Sequence, residues 1–183
     1  MVFKVLRAIS KLLKLLPVNC RYMLYELNTG TNLKIQIAFR YVIVASLCTK
    51  IGDNVFIGKY VSLKHLNNIE FGSNVSIHDM CYIDGYGGIK IGNDVSIAHA
   101  SSILSSSHTW HNNVVPIKYN DIIKGPVIIS NDVWIGCGTR ILSNVMIEER
   151  TIIAAGTIVN KNLPTGHLGA GVPMQIKKNL EEL

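Results

Sequence analysis

The sequence predicts an all-β solenoid of triangular coils, preceded by an amphipathic helix and interrupted by one loop that protrudes from the coils. Three observations predict it. Four segments share one pattern: Ile51-Gly-Asp-Asn-Val55, Phe71-Gly-Ser-Asn-Val75, Ile91-Gly-Asn-Asp-Val95 and Ile129-Ser-Asn-Asp-Val133. Within and after them an apolar residue recurs every six positions, at Ile51, Ile57 and Leu63, at Phe71, Ile77 and Ile83, at Ile91, Ile97 and Ile103, and at Ile129, Ile135, Ile141, Ile147, Ile153 and Val159. Four residues after most of these stands a small or β-branched residue, as at Val61, Thr139, Val145, Thr151 and Thr157. A period of six is neither the 3.6 of a helix nor the 2 of an ordinary strand. It fits a coil with three short straight sides, each turning inward one aliphatic residue, so that stacked coils share one core.

Taken in chain order, residues 1–16 place Val2, Val5, Leu6, Ile9, Leu12, Leu13 and Leu16 on one helical face, with Lys4, Arg7, Lys11 and Lys14 elsewhere and Pro17 as the stop. Such a basic amphipathic helix docks on its own body or a sister subunit, or rests on an anionic membrane surface. Residues 35–48 are β-rich in composition, interrupted by Arg40, and read as a lead-in coil or cap, so that 1–50 forms an N-terminal unit. The repeat spans 51–163. Its 20-residue steps from 51 to 71 and from 71 to 91 exceed three hexads by two residues, which a corner insertion absorbs. Gly and Asn at the turns supply the positive φ that corners require. Residues 107–126 lack the hexads and form the loop, leaving after one coil and rejoining near Gly125-Pro126. Long loops in compact domains usually carry function. Pro164, Gly166 and Gly169-Ala-Gly-Val-Pro173 end the solenoid, leaving 164–183 as a tail with Lys177 and Lys178.

Composition narrows the function classes. The 183 residues are 48% hydrophobic and 16% charged, enough for a sizeable core and unlike a disordered chain. Residues 1–50 hold eight Lys or Arg against Glu26 alone, and the remaining ten bases face eleven acids, so the net +6 belongs to the N-terminal quarter. A nucleic-acid-binding domain would carry that charge on a folded face, so no nucleic acid partner is expected. Cys20, Cys48, Cys81 and Cys137 lie far apart, without metal or disulfide spacing, which fits a reducing compartment. Without a cleavage-site pattern or an apolar run of about 18 residues, the expected location is the cytoplasm, with the basic helix offering contact to the inner face of the cytoplasmic membrane.

Residues 51–178 resemble the hexapeptide-repeat acyltransferases. The resemblance rests on the hexads and on Asn131-Asp-Val-Trp-Ile-Gly136, Ala154-Ala-Gly-Thr-Ile-Val-Asn-Lys161, Leu163-Pro164 and Gly169-Ala-Gly-Val-Pro173. It is greatest for the galactoside, maltose and xenobiotic acetyltransferase branch. The basic helix and Asp84-Gly-Tyr-Gly-Gly-Ile-Lys-Ile-Gly92 look most like the sugar O-acetyltransferases of surface-polysaccharide synthesis. The resemblance implies a left-handed parallel β-helix, a homotrimer with its active sites in grooves between subunits, acetyl-coenzyme A as co-substrate, and a sugar or lipid-linked oligosaccharide acceptor. It implies His108 as the catalytic base, Trp134 against the pantetheine arm, the backbones of Cys137 and Ala155 near its amides or the thioester, and Asn160, Lys161 and Lys178 toward the nucleotide. An acceptor-binding asparagine of the family is here His78.

The residue types suit that chemistry. A sugar hydroxyl needs a base as the C–O bond forms, and imidazole is the side chain tuned for that near neutrality. Ser105-Ser-Ser107 ahead of His108 keeps the ring out of an apolar core. A backbone N–H such as that of Cys137 can stabilise the thioester oxyanion without a buried charge. Asp79 and Asp84 are candidates for orienting His108 or binding sugar hydroxyls, with solvated corner residues as the plainer alternative. His111 is a substrate-contact candidate or a surface residue. Trp134 follows an inward valine, so its ring should project outward. Cys137 reads as a small wall residue, since no base lies near it in sequence. The competing functions are a xenobiotic or small-molecule acetyltransferase of the serine type, a zinc hydratase of the same fold using His99, His108 and His111, and a non-catalytic solenoid. No metal is expected for the transferase.

Overall fold

The structure, a computed structural model, describes residues 2–180. Met1 of the predicted N-terminal helix and residues 181–183 of the predicted tail lie outside the described residues. Three helices, α1 (Val2–Leu13), α2 (Val18–Leu27) and α3 (Lys34–Leu47), precede a β-helix whose short strands stack into three parallel sheets. The first face carries 50–51, 69–71, 89–91, 127–129 and 146–147. The second carries 56–57, 76–77, 95–97, 133–135, 151–153 and 167–170. The third carries 62–64, 82–84, 102–104, 140–141 and 158–159.

The hexads are the inward positions. Ile57 pairs with Ile77, Ile77 with Ile97, Ile97 with Ile135 and Ile135 with Ile153, and all five are buried. The residues four positions on are buried too, including Val55, Val75, Val95, Val133 and Thr151. Each buried aliphatic chain contributes about 1.5–3 kcal/mol of transfer free energy, so the column, rather than any strand of two or three residues, holds the coil together. The two extra residues of the 20-residue coils sit between the third and first faces, at 65–68 and 85–88. At the first corner positive φ falls on Asn54 and Asn74, as expected, and on Asp94 and Asp132 in place of the expected Gly or Asn. At the second corner Tyr60, Met80 and Ala100 adopt it as well, held by stacked bonds such as Met80 N–H to Lys59 O at 3.0 Å.

Residues 35–48 depart from the β-rich expectation. They form α3, buried from Arg40 to Cys48. A helix satisfies its own backbone, whereas a strand here would need another coil beneath it. The outermost coil's carbonyls are taken instead by cap side chains: Tyr41 Oη donates to Gly52 O at 2.8 Å, Arg40 Nε to Ile57 O at 2.8 Å, and Tyr25 Oη to Val61 O at 2.7 Å. The predicted face of α1 is split. Phe3, Leu6 and Leu13 pack on the core and Arg7 pairs with Asp53, while Val2, Val5, Ile9 and Leu12 are exposed. At the other end the stacking runs past residue 163. Strand 167–170 pairs in parallel with 151–153, and 175–179 returns antiparallel along it, so the segment after Pro164 adds two strands joined by turns.

Candidate active site

The corner between the third and first faces changes along the axis. It holds 65–68 in the first coil, 85–88 in the second and the whole excursion 105–126 in the third. Ser105, fully buried, anchors the departure: its Oγ donates to Asp84 O at 2.7 Å and accepts from Gly87 N–H at 2.9 Å, and its carbonyl accepts from Gly125 N–H at 2.9 Å where the loop rejoins. A Cβ on Gly87 would collide with that same carbonyl, which is why only glycine fits there.

Strands 106–108 and 122–124 then form an antiparallel hairpin projecting from the body, with Ser106 opposite Lys124 and His108 opposite Ile122. Beyond it Asn120, buried, closes the tip through Asn112 N–H at 3.0 Å and its own amide to Asn112 O at 3.2 Å. His108 is exposed, as the serines ahead of it predicted. His111 is exposed beside the Trp110 ring, 5.4 Å away.

The other predicted residues occupy different corners. Trp134 lies on the second face and is 55% exposed, pointing outward as read. It lines a cavity of about 390 Å³ with Asp94, Ser96, Arg150 and Ile152. Cys137 and Ala155 follow one coil apart at the next corner, their approach made possible by Gly136, whose hydrogen faces Ala155 N. His78 lies two coils earlier in the neighbouring column, the one that carries Gly136, its N–H bonded to Ile97 O at 2.9 Å and its ring 5.8 Å from Phe56. Asp79, beside it, accepts from Asn32 at 3.0 Å and from Lys59 N–H at 3.0 Å. Asn160 is exposed, Lys161 Nζ reaches Gln175 Oε1 at 3.4 Å, and Lys178 sits opposite Leu168 on the last strand.

Within one chain, therefore, His108 and the Cys137 and Ala155 pair belong to opposite edges of the third face, with Trp134 beyond that pair on the second face. Asp84 makes no hydrogen bond to His108. Its Oδ1 is bonded to His65 Nδ1 at 2.7 Å and to Tyr86 N–H at 3.0 Å. His65 is the residue that sequence reading missed. The four cysteines are free, and burial pushes the Cys48 thiol up to about 12. Among the described residues no three His, Cys, Asp or Glu side chains are grouped to hold a metal ion.

Residues 126–161 match the family described as bacterial transferase hexapeptide (six repeats). A dTDP-4-amino-4,6-dideoxy-D-glucose acyltransferase of Escherichia coli is 32% identical over 149 residues, spanning 67% of this chain and 78% of that protein. The chain belongs to the hexapeptide-repeat acyltransferases. This acyltransferase is also 26% identical over 161 residues to the galactoside O-acetyltransferase of Escherichia coli K12, across 87% of its own length and 77% of the relative's. In fold it matches a hexapeptide-repeat acetyltransferase of Vibrio cholerae solved with acetyl-coenzyme A, with a TM-score of 0.76, 24% identity, and coverage of 97% of this chain and 88% of that one. The hexapeptide-repeat acyltransferases are acyl-coenzyme A-dependent enzymes, and the left-handed β-helix is their fold.

Proposed function

We propose that this acyltransferase moves an acetyl group from acetyl-coenzyme A to a sugar hydroxyl of a surface polysaccharide or its precursor, with His108 as general base. One observation carries the reading: His108 stands on an exposed hairpin at one edge of the third face, while Cys137 and Ala155 line the other edge and Trp134 the adjoining second face. A donor stretched along the second set meets His108 only if a neighbouring copy supplies it, which supports a homotrimer with grooves between subunits. There the acceptor hydroxyl passes its proton to His108 Nε2 or Nδ1 as its oxygen attacks the thioester carbonyl. The Cys137 N–H faces the developing oxyanion, and coenzyme A leaves as its thiolate. Trp134 packs on the pantetheine arm, and Asn160, Lys161 and Lys178 lie toward the phosphates. Asp79, on the Cys137 column, and His78 beside it meet the acceptor from the far wall, and His111 from the hairpin side.

The test is thiol release from acetyl-coenzyme A with sugars, sugar nucleotides and lipid-linked oligosaccharide extracts, the product then treated with mild alkali. Sugar-dependent release giving an alkali-labile ester is expected. Turnover confined to chloramphenicol-like alcohols or free serine would overturn the sugar assignment. A second reading, N-acylation of an amino sugar nucleotide, is favoured by the 32% relative, and an alkali-stable amide would establish it.

The exposed stripe Val2, Val5, Ile9 and Leu12 of α1, continued by Ile35 and Phe39 of α3 and flanked by Lys4, Lys11 and Lys14, supports contact with an anionic membrane surface. Flotation with phosphatidylglycerol vesicles should recover the protein, and Ile9→Glu with Leu12→Glu should lower recovery about tenfold. Equal flotation of the variant would assign the stripe to subunit packing.

A further inference from the structure

The corner that emits the catalytic hairpin carries a second cluster that the proposed reaction does not use. His65 Nδ1 is bonded to Asp84 at 2.7 Å, and its side chain is 47% exposed. A histidine held by a carboxylate through one nitrogen has its ring orientation fixed, with the other nitrogen left as the working atom. Tyr86 closes the arrangement. Its N–H donates to the same Asp84 oxygen at 3.0 Å, and its ring meets the His65 ring edge-on at 5.2 Å. Lys124 Nζ lies over the Tyr86 ring, 5.5 Å from its centre.

Register connects this cluster to His108. Lys124 is opposite Ser106, and directly opposed residues of an antiparallel pair project to the same face. Side chains two apart on a strand share that face, about 7 Å from one another. Lys124 and His108 thus project from one side of the hairpin, the side on which Tyr86, His65 and Asp84 stand. Of the charged groups gathered here, Asp84 is occupied by His65, and Lys124 has no carboxylate partner among the described residues.

We infer that His65, Asp84, Tyr86 and Lys124 form an acceptor subsite selecting a sugar with an anionic substituent, a carboxylate or a phosphate. His65 is a positioning residue that hydrogen-bonds an acceptor hydroxyl through Nε2, and Lys124 reads the anion. This rests on the acetyl-transfer reading for its chemistry, and its binding geometry is tested apart from it.

The probes are matched pairs: methyl glucoside with methyl glucuronoside, and methyl galactoside with methyl galacturonoside, each also tried as the sugar 1-phosphate. The first readout is the ¹⁵N spectrum of the histidine-labelled full chain with desulfo-coenzyme A, assigned by His65→Gln. The second is kcat/KM for acetyl transfer. An acidic probe should move the His65 Nε2 resonance, and its neutral partner should require at least tenfold more. Transfer should favour the acidic member at least tenfold. Lys124→Gln should collapse that ratio by raising KM for the acid, and Lys90→Gln, on the first face, should leave it intact. His65→Gln should retain more activity than His65→Ala, with losses in KM. A His65 shift without transfer to any probe would support the subsite while refuting the transfer reading. Transfer with equal use of acidic and neutral sugars, or with an unmoved His65 signal, would overturn the subsite. A loss confined to kcat in His65→Ala would overturn the positioning role.

Discussion

Replacing His108 with alanine should lower acetyl transfer by about 10²–10⁴-fold while coenzyme A binding is retained, because the lost function is proton removal at the moment of attack. The side chain is exposed on a hairpin, so its removal leaves neither a cavity nor an unpaired buried group. Stability should stay within about 0.5 kcal/mol of the parent. Thiol release at saturating acceptor, coenzyme titration and thermal melting of the same preparation make the comparison. The proposed base role predicts a fall in kcat. A variant with unchanged kcat and raised acceptor KM would make His108 a binding group, leaving proton removal to another residue.

Arg40→Met should be the most destabilising single exchange in the cap. The side chain is wholly buried, and its guanidinium donates to Ile57 O at 2.8 Å, Asn28 O at 2.8 Å, Thr31 O at 2.6 Å and Asn32 Oδ1 at 2.9 Å. Methionine keeps much of the volume and supplies no donor, so four acceptors lose their partner, Ile57 O among them in the buried interior. About 3–5 kcal/mol of stability should disappear, lowering the melting temperature by roughly 10 °C or more for a chain of this size. Lys90→Met, at an exposed position, should change it by about 0.5 kcal/mol or less. A melting temperature of Arg40→Met equal to that of Lys90→Met would refute the assignment.

The coil was legible in the sequence because geometry repeats itself: every side of the triangle needs one inward aliphatic residue, and nothing else produces a period of six from Ile129 to Val159. The loop was legible as the place where that demand lapses. The cap was not. Val42, Ile43 and Val44 are strand-forming types, and the helix they join is imposed from outside, by burial against the first coil and by the absence of a coil below it. Nor was the His65 and Asp84 pair. The two residues are 19 apart, and only the two extra residues of the coil carry His65 beyond the strand to reach back to Asp84, which itself stacks on Lys64. The 20-residue step was the available signal, since it sets position 64 beside 84 and leaves 65 adjacent. The proposed role of His108 came through resemblance, because no local partner marks it.

A stack of parallel strands has two terminal rims, and each rim offers backbone groups that an identical rim could match. Left bare, such a molecule is a ready monomer for end-to-end fibre growth. Here Tyr25, Arg40 and Tyr41 occupy the carbonyls of the lower rim, and strand 175–179 runs against the parallel direction at the upper edge of the second face. The helices at one end and the reversed strand at the other thus serve as polymerisation terminators, leaving the sides of the prism, where the hairpin of His108 projects, as the surface open to another copy.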